Sequence, residues 1–157
     1  MLKITILTVG KMKDIDFKNS FGKYLKRISP YAVIHLVELA AEPFYDNSNK
    51  EKIKQQEGKK IIGFLKKHSQ DKILILDEKG KQFDSIEFAE FLFKKESEHI
   101  IFIIGGTLGI SREVLNLKNA ESISLSKLTF PHEMAKVILT EQIYRAIAIN
   151  KNKSYHY

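Results

Sequence analysis

Two uninterrupted apolar runs, Ile73-Leu-Ile-Leu76 and Ile100-Ile-Phe-Ile-Ile104, constrain this chain more than any other feature. A strand that is apolar on both sides has no face for water. It belongs in the middle of a parallel sheet with helices above and below. Around these runs the pattern supplies further strands and helices. Leu2–Val9 sets Ile4 and Ile6 against Thr5 and Thr8, as a strand does, and Ala32–Leu39 reads as a second strand. Phe17, Phe21, Tyr24 and Leu25 recur at helical spacing up to Ser29-Pro30, where a helix must stop.

Lys50–Lys67 reads as a helix with Ile53, Ile61, Ile62, Phe64 and Leu65 on its apolar side. Asp84-Ser-Ile-Glu87 has the form of a capping box opening a helix through Phe88, Phe91 and Leu92. Ser111 can cap a short helix carrying Val114 and Leu115, and Ile123 with Leu125 forms a last short strand. Pro131 then opens a long helix to about Asn150. Its core face is read as Met134, Val137, Ile138, part of Glu141, Tyr144 and Ile147. Ala41–Asn49, with Pro43 and Asn47-Ser-Asn49, is the longest loop-like stretch. Strands alternating with helices define an α/β fold, and 157 residues suit a single domain over 1–157.

The chain has no cysteine, which removes disulfides, thiolate metal sites and a cysteine nucleophile. The first nine residues are apolar but short and interrupted by Lys3, so they read as a strand and not as a signal peptide. Nothing approaches a membrane-spanning apolar run, and a cytoplasmic location is expected. A net charge of +7 favours polyanionic partners without identifying one. The lysines of 50–67 are either a solvated helix face or a rail for RNA phosphates.

Three segments follow predicted strands: Leu76-Asp-Glu-Lys-Gly-Lys81, Ile104-Gly-Gly-Thr-Leu-Gly-Ile110 and Leu125-Ser-Lys-Leu-Thr-Phe-Pro-His132. Ligands bind at the carboxyl ends of parallel strands, so three such loops can build one pocket. The spacing G-G-x-x-G is not the dinucleotide fingerprint, and it follows a late strand. No phosphate-binding loop and no local histidine pair with metal-ligand spacing is present, so no metal is expected.

Ser124-Leu-Ser-Lys-Leu-Thr-Phe-Pro-His-Glu-Met134, Thr140-Glu-Gln-Ile-Tyr-Arg-Ala146 and the ending Ser154-Tyr-His156 change the reading. Together with Lys3-Ile-Thr-Ile-Leu-Thr-Val-Gly-Lys11 and the first two loop segments, they resemble the ribosomal RNA large subunit methyltransferase H family of the SPOUT superfamily. The resemblance runs along essentially the whole chain. It implies a mostly parallel sheet flanked by helices, a C-terminal trefoil knot and a homodimer. It also implies S-adenosylmethionine as cofactor, and methylation of N3 of a pseudouridine in 23S rRNA on assembled ribosomes. Two other activities stay open from the residues: a non-catalytic RNA-binding or ribosome-maturation factor, and a knotted methyltransferase acting on tRNA.

Carried onto this chain, the resemblance puts cofactor contacts at Leu76, Gly105, Leu125, Ser126, Lys127, Leu128, Thr129 and Phe130. The leucines and the phenylalanine suit apolar walls for adenine and thioether. Lys127 contributes backbone while its ammonium points outward, because a cation beside a sulfonium is unfavourable. His132, at a helix N-terminus, either accepts a proton or merely caps the helix or orients RNA. Arg145 either binds a phosphate across the dimer or pairs with Glu141 one turn earlier. Tyr155 and His156 suit stacking on unpaired bases. Lys136 stands where the family often has Arg, a difference expected to bear on RNA contact. His35, His68 and His99 read as ordinary surface residues.

Overall fold

The computed structural model describes residues 1–94 and 99–155. In chain order the elements are β1 (Leu2–Val9), α1 (Ile15–Ile28), β2 (Ala32–Leu39), a 3-10 turn (Asn47–Asn49), α2 (Lys50–Leu65) and β3 (Lys72–Gln82). They continue with α3 (Ser85–Phe93), β4 (His99–Ile104), α4 (Arg112–Leu115), β5 (Ala120–Ser124) and α5 (His132–Asn150). The five strands form one parallel sheet in the order β2-β1-β4-β3-β5. Ile4 lies between Ile34 and Ile100, and Ile101 is opposite Ile73.

The two apolar runs sit where their lack of a polar face requires. Leu74, Ile100, Phe102 and Ile104 face a core shared with α1, α3 and α5, built from Phe21, Ile28, Phe88, Leu92, Leu139 and Ile143. Ile73, Ile75, Ile101 and Ile103 face the opposite core, closed by Ile61, Leu65 and Val114. Thr5 and Thr8 of β1 are buried too, so that strand is covered on both sides. Thr5 Oγ1 bonds the His99 ring at 2.8 Å, and Thr8 Oγ1 donates to the Gly10 carbonyl.

The caps follow the sequence. Asp84 and Glu87 form the capping box of α3, and Ser111 Oγ accepts the Val114 N–H. Asp14 caps α1 by accepting from Asp16 and Phe17, and Ser29 closes that helix.

Four readings are corrected. The segment after Leu76 is a continuation of β3: Leu76 and Lys81 both pair with Ile123, so residues 77–80 bulge from a strand that runs on to Gln82. Leu125 lies beyond β5, which ends at Ser124. The helix from Lys50 ends at Leu65, two residues early. The core face of α5 is turned: Ala135, Lys136, Leu139, Thr140, Ile143, Ala146 and Ile147 are buried, of which the sequence pattern puts only Ile147 there, while Val137 and Tyr144 pack at the edge of the core. Met134, Val137, Ile138, Glu141 and Tyr144 are only half-buried. The helix is apolar on both sides, so its periodicity could not choose between them.

Burial sets the cost of truncation. Leu139 is fully buried whereas Leu128 is 73% exposed. Leu139→Ala should therefore lower the unfolding free energy by about 2–5 kcal/mol, and Leu128→Ala by well under about 1 kcal/mol, in urea titrations.

Candidate functional site

The bulge of β3 and the carboxyl ends of β4 and β5 open into a cavity of about 850 Å³, a volume suited to a small-molecule ligand. Its lining includes seven of the eight residues expected to hold a cofactor: Leu76, Gly105, Leu125, Ser126, Leu128, Thr129 and Phe130. Lys127 is exposed and outside the lining, so its side chain lies off the cavity.

Each loop is held by its own chemistry. Ser126 Oγ accepts the Leu128 N–H at 3.0 Å, and the Ser126 carbonyl accepts from Ser124 Oγ at 2.8 Å. These bonds bend the segment back on itself and turn its leucines to the cavity. Thr129 Oγ1 donates to Glu78 Oε2 at 2.7 Å, joining this loop to the β3 bulge. The Gly109 N–H bonds the Gly106 carbonyl at 3.0 Å, with Gly109 alone of the three glycines at positive φ. At Gly105 the requirement is steric: a Cβ would lie 2.6 Å from Ile110 Cγ1 and 3.0 Å from the Gly109 backbone. Gly105 therefore lets its own loop close.

His132 is the first residue of α5 and borders the cavity. Burial lowers its pKa, and the nearby Lys136 lowers it further, so the imidazole stays neutral at neutral pH. Lys136 itself is fully buried and makes no surface for RNA, which corrects the expectation that it bears on RNA contact. Its ammonium donates to the Gly10 carbonyl at 3.2 Å and to Glu38 Oε1 at 3.3 Å, and Glu38 Oε1 also accepts the Met12 N–H. Burial lowers the Lys136 pKa while Glu38 opposes that shift. Glu133 Oε1 accepts the N–H groups of Lys13 and Asp14. The first turn of α5 is thereby stitched to the loop after β1.

Arg145 and Tyr155 lie away from the cavity, on the outer side of α5. Arg145 forms the ion pair with Glu141, at 2.5 Å, and stands over the Tyr155 ring. The Tyr155 hydroxyl donates to Glu141 Oε1, and its ring meets Tyr144 edge-on. Burial first, then hydrogen bonding with Tyr24, pushes the Tyr155 phenol up to about 12. His156 lies outside the described residues.

Lys50, Lys52 and Lys59 of α2 and Lys66 and Lys67 just beyond it are exposed, while Lys60 pairs with Glu42 at 2.6 Å. His68 and His99 are not independent surface residues: both Nδ1 atoms bond Asp71 Oδ2, at 2.7 and 2.9 Å. The ligand atoms of these three lie within 4.8 Å of one another, at the amino ends of β3 and β4. Their separation along the chain hid this group from motif reading. Among the described residues no helix is long and apolar enough to cross a membrane.

Sequence reasoning missed Lys54, which lines the cavity, and Glu57, which lies behind Gly106. A signal was available: Glu57 interrupts the buried stripe Ile53, Ile61, Leu65 at spacing four.

Residues 2–156 match the family described as "Predicted SPOUT methyltransferase". Full-length relatives, covering 99% of both chains, include ribosomal RNA large subunit methyltransferase H of Clostridium novyi (strain NT), 43% identical. The proteins of that name from Carboxydothermus hydrogenoformans and Symbiobacterium thermophilum are 39% and 36% identical over the same share. With its parallel sheet and the cavity at the strand ends, the chain belongs to the SPOUT methyltransferase family, alongside relatives that carry the name ribosomal RNA large subunit methyltransferase H.

Proposed function

We propose that this protein is a cytoplasmic S-adenosylmethionine-dependent methyltransferase of 23S rRNA, acting on N3 of a pseudouridine in the assembled ribosome. The observation that carries the reading is the cavity itself: a chain related over its full length to the large subunit methyltransferases closes three strand-end loops around one space. The residues present fit the cofactor. Leu76, Leu125, Leu128 and Phe130 supply apolar walls, and the bent backbone of 125–130 supplies polar edges. The cofactor, when bound, supplies a methyl group on a sulfonium leaving group.

The chain's own task is to orient the base, exclude water and take one proton. His132, held neutral beside the cavity, accepts the N3 proton of the attacking base. Lys136 and Glu133 fix the loop of residues 10–14 against the first turn of α5, which sets where that imidazole stands.

We read residues 1–157 as one domain, with the trefoil knot where the chain leaves the edge strand β5, bends through 125–131 and enters α5 between α1 and α3. A homodimer is supported by the outer side of α5, where Met134, Val137 and Ile138 form a half-buried apolar stripe. An isologous antiparallel pairing of α5 with its copy covers that stripe. It also carries the partner's Arg145 and Tyr155 towards His132, where they meet phosphate and unpaired bases. This gives Arg145 a purpose beyond its pair with Glu141.

Labelled methyl groups should enter 23S rRNA when ribosomes lacking the modification are supplied, and should not enter tRNA; label in tRNA alone would redirect the substrate. His132→Gln should slow single-turnover transfer by about 10²-fold while leaving cofactor affinity unchanged. Because burial and Lys136 lower the His132 pKa, the wild-type enzyme should lose activity in acid only at a lower pH than an ordinary imidazole would set, its rate falling as the pH drops through the lowered pKa. Ile138→Asp should yield a folded monomer in sedimentation, and a dimer surviving that change would move the interface elsewhere.

A further inference from the structure

At the amino ends of β3 and β4, the sheet edge opposite the cavity, three side chains meet that methyl transfer does not use. His68 and Asp71 lie in the turn between α2 and β3, and His99 is the first residue of β4. The Nδ1 atoms of both imidazoles reach the same carboxylate oxygen, Asp71 Oδ2, at 2.7 and 2.9 Å. Each side chain keeps between 21 and 26% of its surface, so a small solute can reach the group.

Each member is held from behind. The His99 Nε2 bonds Thr5 Oγ1 at 2.8 Å, and Thr5 is itself buried. A hydroxyl can donate or accept, so this bond persists whichever ring nitrogen carries the proton, and Nδ1 is left facing Asp71. The His68 ring stacks on Phe64, with centroids 4.7 Å apart, and meets the His99 ring edge-on at 5.7 Å. The turn is closed by backbone bonds from the His68 N–H to the Leu65 carbonyl and from the Asp71 N–H to the His68 carbonyl.

Two imidazole nitrogens and one carboxylate oxygen, all within 4.8 Å of one another, are a donor set for a borderline divalent metal. Magnesium and calcium prefer oxygen ligands, and two imidazoles do not suit them. Zinc holds such atoms about 2.0–2.2 Å from itself, hence about 3.3 Å from each other in a tetrahedron. The N···O separations here are those of hydrogen bonds, and opening them by about half an ångström admits the ion. We propose that His68, Asp71 and His99 form a zinc site, three protein ligands with water in the fourth position, that fastens the turn after α2 to the start of β4. No local histidine pair announces it, because the ligands meet only where β3 and β4 lie side by side. The site is remote from the cavity and independent of the cofactor reading, and its part is structural.

Equilibrium dialysis and thermal melts on the full-length, untagged protein, in zinc chloride against EDTA, test it. The wild type should retain about one zinc per chain and, at about 100-fold excess over Kd, melt about 4–10 °C higher than in EDTA. Magnesium should do neither. Asp71→Asn keeps an oxygen for the two ring N–H groups but loses the charge, and His68→Gln removes one nitrogen at a half-buried position. Each should weaken zinc by more than about 100-fold while still melting cooperatively in EDTA; if Asp71→Asn does not fold, His68→Gln decides. Thr5→Val leaves all three ligands in place and should cost about tenfold. A wild-type protein that retains no zinc overturns the site. Zinc held at full affinity after His68→Gln assigns the ion to other residues and overturns it likewise, as does an equal rise in melting temperature with magnesium.

Discussion

The rest of this structure depends on a parallel sheet whose central strands have no side to give to water. Leu74, Ile100 and Phe102 must be covered from one face, and Ile73, Ile75, Ile101 and Ile103 from the other. Parallel strands with two covered faces have only their ends left for chemistry. The bulge of β3 and the segments after β4 and β5 therefore converge at one edge, and the cavity is a consequence of how the sheet is buried.

Around that cavity the protein keeps charge inside, each group fixed by a partner from a distant part of the chain. Lys136 is fully buried, and its ammonium holds the Gly10 carbonyl and Glu38. An Arg at this position would bring a planar fork into a space shaped for a single ammonium. The same ammonium helps to keep His132 neutral, so packing and acid–base character are set by one residue. A charge buried in this way is costly unless paired, which ties the strand ends, the loop of 10–14 and α5 into one arrangement.

Much of this was legible in the residues because the decisive signals were local. The strands at Leu2–Val9 and Ala32–Leu39 and the capping box at Asp84 rest on patterns a few residues long. Leu76, Gly105 and the 125–130 loop were legible through their order along the chain. What escaped depended on partners far away. The bulge at 77–80 exists because Ile123 pairs with β3 twice, and periodicity carries no such information. On α5 the pattern reaches Ile147 but not Leu139 or Ile143, because apolar residues occur on both sides of the helix and only the positions of α1 and α3 decide which side is the core. His68, Asp71 and His99 meet only when β3 and β4 align.

The clamp between the loop after β1 and the first turn of α5 joins residues 120 and 126 positions apart. During synthesis β1 precedes its clamp by more than a hundred residues, so Glu38 and Gly10 wait for Lys136 until α5 is made. Until α5 arrives, Leu74, Phe102 and Ile104 lack the helix that covers them. A chain without α5 has that part of the apolar sheet face bare. Burial of that sheet face therefore depends on α5, and α5 is held in place by a clamp to the loop after the strand most distant from it in sequence.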